Sequence, residues 1–367
     1  MGAKKIVHLI IGLILSAAFG TGFLVLGSDI SDIGSKKYSE TFTGVVSSST
    51  YSSKEKAAEA FVFEEMKGET SKNITYKSYS VVKSLSADDV RALNVPNTEN
   101  AYSGEKVKIE FLDDQIEYSV HAYLIDTPSG IRFIAPLAEN GEKITNSYFA
   151  SVFAGEHYLN CTATTVVGVR SGEVSSSYRQ TIYIAEDKAF FDQGLPGFST
   201  DMYFKDNGGS ITPYLKHPQR TDDDNFYSLS EINSSSGNIR YEVVLIKGNE
   251  QLNVSSFSSM KDITDFMFMF DVDASYFVKT DYGFAMTNEK YKEACRVMLG
   301  LNDEQVDSAW YSNQISFEAR YYVTDGKLSA AVTYFNILED GQINSISVTT
   351  KYTDFGTTVV DIPVEGV

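Results

Sequence analysis

The chain is short of cysteine, of tryptophan and of positive charge. Its 367 residues include two cysteines, Cys161 and Cys295. A disulfide framework needs more cysteines at closer spacing, and two cannot build a zinc site alone. They read as separate buried thiols, one on a strand and one on an apolar helix face, not bonded to each other. One tryptophan stands against 23 phenylalanines and 23 tyrosines, an aromatic balance that favours β-structure. Lys and Arg number 31 against 49 Asp and Glu, for a formal net charge of −18. So acidic a chain repels phosphate backbones, which argues against nucleic-acid partners. It repels anionic headgroups too, so any membrane contact must come through an inserted segment.

Catalytic signatures are missing as well. There is no Gly-rich phosphate loop, nucleophile elbow, HExxH or paired-cysteine metal spacing. Asp222-Asp223-Asp224-Asn225 and Asp271-x-Asp273 miss the EF-hand pattern and read as solvated loops. The expectation is a non-enzymatic protein with no cofactor and no metal. Asn73, Asn160, Asn233 and Asn253 open glycosylation triplets, which matter only in a eukaryotic secretory pathway.

What is present starts with the N-terminus. Lys4 and Lys5 precede 22 uncharged positions, Ile6 to Gly27. As a helix that run would span ~30 Å of hydrocarbon, and the lysines favour a cytoplasmic N-terminus. Residues 1–28 are therefore expected to be a single-pass signal anchor; a cleaved signal, with Val25-Leu26-Gly27 as a weak box, is the alternative. Either places the body outside the cytoplasm, at the cell membrane or secreted. Residues 29–51 read as a flexible tether, Ser-rich towards its end. Ser52-x-x-Glu55 then forms a capping-box pattern.

Residues 52–195 read as a first α+β domain. In KEKAAEAFVFEEMKG, Ala58, Phe61, Val62 and Met66 make one helical face. The period then becomes two: Val107, Ile109 and Phe111 alternate with Lys106, Lys108 and Glu110. Ile116, Tyr118, Val120, Ala122 and Leu124 share one strand face, with His121 on the other as a surface histidine. Turns at Pro128-Ser129-Gly130 and Ser171-Gly172 close two hairpins. His157 reads as loop. One helix followed by long antiparallel hairpins resembles the cystatin-like or nuclear-transport-factor-like cone.

Residues 196–367 read as a second α+β domain. Ile315, Phe317, Ala319, Tyr321 and Val323 form one face, with a tight turn at Asp325-Gly326. Leu328, Ala330, Val332 and Tyr334 are expected in register opposite it. Ile346, Val348 and Tyr352 complete a three-strand meander with one apolar face to cover. Amphipathic helices after Thr287 and Asn302, the latter carrying Val306, Ala309 and Trp310, are expected covers. KDITDFMFMFDVD supplies another, with Met260, Ile263, Met267 and Phe270 as a stripe and Phe266 beside it. The stripe reads as core or as the lining of an apolar cavity.

The runs SSMKDITDFMFMF, SYFVKTDYGFAMT, NEKYKEACRVMLG, ISFEARYYVTDGKLSAAVTYF, INSISVTTKYTDFG and VVDIPVEG resemble the C-terminal half of LolA/LppX-type lipoprotein-carrier families. The resemblance implies an incomplete β-barrel closed by helices over an apolar cavity, and an activity of binding or moving acyl chains. Met260, Ile263, Phe266, Met267, Phe270, Trp310, Phe317 and Tyr321 are the candidate lining. The lipobox cysteine of such proteins is missing. The expected whole is an α+β protein: an N-terminal transmembrane helix, then two domains of curved antiparallel sheet, each covered by helices. The expected function is a membrane-anchored extracytoplasmic envelope protein with a hydrophobic ligand. The alternative is a scaffold or assembly subunit with envelope protein partners; an N-terminal anchor with tandem cone-like domains resembles subunits of Gram-positive conjugation channels.

Overall fold

A computed structural model describes residues 45–362, apart from 69–70, 72, 94, 96, 137, 193–201, 209–210, 217–225, 234–238, 246–259, 261–262, 264–273, 288–289, 291–292, 294–301, 303, 305–314 and 340–341. The first sheet has the strands β1 (Val45–Val46), β2 (Ile74–Ser86), β3 (Ser103–Asp113), β4 (Ile116–Thr127) and β5 (Gly130–Ala135), in the order β1-β5-β4-β3-β2. Register follows the alternation in sequence: Val107 opposes Ala122 and Ile109 opposes Val120. These side chains bury with Phe111 and Leu124 against helix α1 (Lys54–Phe61), which contributes Ala57, Ala58 and Phe61. Ser53 caps α1 by accepting the Lys56 amide at 3.2 Å, one residue later than the capping pattern suggested. A single π-turn, Val62–Met66, continues it and adds Val62 and Met66 to the same core. Helix α2 (Ala87–Ala92) is a short capped turn between β2 and β3.

The second sheet contains twelve strands. After helix α3 (Asn146–Val152) come β6 (Asn160–Ser171), β7 (Val174–Ala185), β8 (Lys188–Asp192), β9 (Met202–Asp206), β10 (Ile211–Lys216), β11 (Phe226–Asn233) and β12 (Ile239–Leu245). Then follow β13 (Phe277–Thr280), β14 (Gly283–Met286), β15 (Ile315–Thr324), β16 (Lys327–Glu339) and β17 (Gln342–Thr353). The order is β12-β11-β10-β9-β8-β7-β6-β17-β16-β15-β14-β13. The last strand thus returns to β6, over ten paired positions from Thr162–Thr353 to Ser171–Asn344. One apolar face runs across the strands. Phe317 opposes Phe335, Phe335 opposes Ile346, and Ile346 opposes Val169. Cys161, Ala163, Ile182, Ile184, Phe191 and Phe204 continue it on the far side.

Several expectations need correcting. The described chain is mainly antiparallel β-sheet rather than α+β with each sheet covered by helices: α1, α2 and α3 have 8, 6 and 7 residues. The period-two segments pair with one another, which satisfies their backbone groups. No helix among the described residues is long and apolar enough to cross a membrane; residues 1–28, on which the transmembrane and signal-anchor expectation rests, lie outside the described residues. Residues 45–51, expected in the tether, run along β5, where Tyr51 exchanges backbone hydrogen bonds with Ile131 at 2.7 and 3.0 Å. The division expected at 195/196 falls inside the large sheet, where β8 pairs with both β7 and β9. At the level of sheets the break lies between Ala135 and Asn160.

The register of β16 also differs. Tyr322 opposes Ala330 but Val323 opposes Leu328, so Ser329 is an extra residue, a β-bulge. Past the bulge the alternation flips. Ala331 and Phe335 then face the apolar cluster with Leu328, while Ala330 and Val332, also buried, lie outside it. The run SYFVKTDYGFAMT contains the β13–β14 hairpin. Gly283 closes that turn at φ +145°, and a Cβ there would run into the Tyr321 carbonyl.

Candidate functional site

Of the eight candidate lining residues, Met260, Ile263, Phe317 and Tyr321 are described, and all four are buried in one cluster with Val348. Phe266, Met267, Phe270 and Trp310 lie outside the described residues. Met260 and Ile263 have helical backbone, as the stripe required. Tyr321 stacks on Phe277 at 4.9 Å and meets the edges of Phe284 and Phe153 at 5.3 and 5.5 Å. Burial pushes its phenol well above the ordinary range. Tyr158, fully buried, bonds through its hydroxyl to the Val152 carbonyl at 2.5 Å and accepts the Leu328 amide at 3.0 Å. Cys161 is a free buried thiol whose pKa burial raises to about 12; Cys295 lies outside the described residues. These contacts are those of packed core.

Polar chemistry concentrates elsewhere, where the two sheets meet. The segment 136–145 leaves β5 and runs along the edge of β13. The Gly141 amide donates to the Lys279 carbonyl at 2.9 Å, the Lys279 amide to the Glu142 carbonyl at 2.8 Å and the Ile144 amide to the Phe277 carbonyl at 3.3 Å. This connector covers the β13 edge, buries Ala138 and Ile144 in the core of the large sheet and presents Glu139, Glu142 and Lys143 to the small sheet. Lys143 turns to Asp113, at the end of β3, at 3.7 Å. It also donates to the Ser275 carbonyl and sits 4.0 Å over the Tyr118 ring. Lys290, from a helical stretch of the second region, reaches Asp113 at 3.1 Å and Asp114 at 3.3 Å. Asp113, Lys143 and Lys290 are each at most 3% exposed. The lysines meet Asp113 as ion pairs without the alignment of hydrogen bonds. Burying such charges is tolerable only because they neutralise one another.

A third contact ties the π-turn to α3. Glu65 accepts from the Ser147 amide at 3.0 Å and from its hydroxyl at 2.7 Å. A carboxylate there also meets the positive end of the helix. Asn146 donates to the Glu64 and Lys67 carbonyls at 3.2 and 2.9 Å.

At the junction, His121 of β4 meets Glu139 and Glu142 of the connector. His121 Nδ1 lies 2.6 Å from Glu142 Oε1 and 3.5 Å from Glu139 Oε2. The other Glu142 oxygen accepts from the His121 amide at 3.2 Å and the Glu139 amide at 2.9 Å. The other Glu139 oxygen pairs with Lys106 at 2.5 Å, which holds the Glu139 carboxyl below its ordinary value. His121 is therefore not a plain surface histidine: its side chain is 14% exposed. The strand alternation placed it correctly, away from the apolar face. Its partners stand 18 and 21 residues later in a loop, and no local spacing announces them. Comparison of the chain with protein-family models and with curated proteins gives no match.

Proposed function

We propose that the protein is a scaffold or assembly subunit that engages its partner through the edge of β2. The observation that carries this reading is that β2, thirteen residues long, pairs with β3 on one side and with no described strand on the other. Such an edge templates strand addition. Val81 and Val82 lie on it, 51% and 53% exposed. The charged side chains of β2, Lys77 and Lys83, pair within the chain with Glu117 at 2.8 Å and Asp89 at 3.7 Å. A second copy, or any strongly acidic partner, would be repelled by a chain of net charge −18, so the partner is an extended segment of another protein that is apolar where it meets Val81 and Val82 and carries no net negative charge. Bulges between Tyr76 and Ser78 and between Val81 and Lys83 break the regular ladder of β2 with β3. The packing of Met260, Ile263, Phe317 and Tyr321 within one core favours this reading over acyl-chain carriage.

A photo-crosslinking residue at position 80 of the full chain tests it in the native cell. One protein should be captured there, and Val81→Asp/Val82→Asp should abolish capture while leaving the melting temperature nearly unchanged. Mixing the purified partner with the chain should slow amide exchange at residues 78–82. Equal capture from a crosslinker at Glu173 in the β6–β7 turn, or undiminished capture in the double variant, overturns the proposal.

A further inference from the structure

The geometry points to a divalent transition-metal site formed by His121, Glu139 and Glu142, independent of the β2 edge. Their ligand atoms, His121 Nδ1 and one oxygen from each carboxylate, all lie within 4.8 Å of one another. Imidazole nitrogen with carboxylate oxygen is the donor set of zinc and its neighbours, whereas magnesium and calcium prefer all-oxygen shells.

Four features go beyond a chance cluster. First, both carboxylates are oriented by outer partners: each has one oxygen held by donors and the other turned to the centre. Glu142 is held by two backbone amides and Glu139 by Lys106. That is how second-shell contacts orient metal ligands. Second, His121 Nδ1 is buried and has no aligned hydrogen-bond partner despite the nearness of Glu142. Third, among the described residues one lysine, Lys106, bonds to the group, beside two carboxylates and an imidazole. Fourth, access is graded: the Glu142 side chain is 9% exposed and that of Glu139 53%. The outer side leaves room for water as a fourth ligand, as in open three-ligand sites. With metal–ligand bonds of about 2.0–2.2 Å, tetrahedral coordination sets ligands about 3.3 Å apart. His121 and Glu142 would separate by roughly 0.7 Å to admit the ion.

The ion would clamp the sheets together. His121 belongs to β4, and Glu139 and Glu142 to the connector that rides on β13. Isothermal titration of the full chain, stripped with chelator, tests this with Zn²⁺ and separately with Mg²⁺. One equivalent of Zn²⁺ should bind, and His121→Asn and Glu139→Gln should each weaken it at least about tenfold. Glu117→Gln, on an exposed residue of the same strand, should not. Zn²⁺ should raise the melting temperature of the parent chain and of Glu117→Gln but not of the other two. Should His121→Asn fail to fold, Glu139→Gln carries the test, because that side chain is half exposed. Zn²⁺ binding that survives both variants puts the ion elsewhere and overturns the inference. No Zn²⁺ binding leaves a His–Glu ion pair only and overturns it too. Mg²⁺ binding as tight as Zn²⁺ overturns the assignment to a transition metal.

Discussion

Two polar clusters hold the junction between the sheets, and they are built from different groups. Around Asp113 the protein supplies its own cations: Asp113 and Asp114 face Lys143 and Lys290, two charges of each sign. Around His121, Glu139 and Glu142 face one lysine, Lys106, and an imidazole. The first cluster is sealed, with its central groups almost without exposure, and the second opens to water at Glu139. A sealed, self-neutralised group suits a fixed structural pin. An open one with an imidazole among its groups suits an exchangeable ion. The same connector, Glu139 to Ile144, serves both, through Lys143 on one side and Glu142 on the other.

The comparison breaks most visibly at its sealed end. Asp113→Ala strands two lysines in the interior, and loss of one partner of a buried pair costs about 3–5 kcal/mol. Urea unfolding should show a loss of that size; a change under about 1 kcal/mol would mean that water reaches the cluster. An uncharged reference comes from the apolar core. Ile263→Ala should cost about 2–4 kcal/mol, since the site is fully enclosed and the cavity it leaves collapses only in part. A near-neutral result there would show a loosely filled interior and reopen the ligand-cavity reading.

The smallest effect belongs to the open end. Glu139 titrates below its ordinary value of 4.5 because Lys106 bonds its carboxylate. A depressed carboxylate adds stability that is fully present above the unfolded-state value and is lost as pH falls through the folded one. The difference in urea midpoint between the parent chain and Glu139→Gln should therefore be constant at neutral pH and shrink below about pH 4.5. Its size stays small, because exposed pairs are screened by solvent. A difference that does not change with pH would show that the Lys106 contact contributes nothing to folding.

Much of the sheet structure was legible before any coordinates. The alternation in 107–111, 116–124 and 315–323 named the strands, and Thr127 to Gly130, Ser171-Gly172 and Asp325-Gly326 named the turns. The parity of β16 was not legible. A single extra residue, Ser329, reverses which of Ala331 and Val332 faces the apolar cluster, and a bulge has no strong local signature. The pairing of β17 with β6 was also hidden, because it joins residues about 180 positions apart. The metal-type cluster was missed for a similar reason: His121 reads as a lone histidine until the connector folds back over it.

What the sequence determined by itself was local: the period-two segments, their apolar faces, the turns between them and the acidic balance. These depend on side-chain geometry and solvation within a few residues, so any chain with the same pattern would show them. Only the tertiary structure decided which strands became neighbours, which edge stayed open and which charges met. Asp113 finds Lys290, and His121 finds Glu142, because the connector between the sheets lies along β13 and brings separate segments to one interface. Ion pairs and metal ligation act over a few ångströms of space and have no period in sequence, so their partners emerge only when the sheets pack.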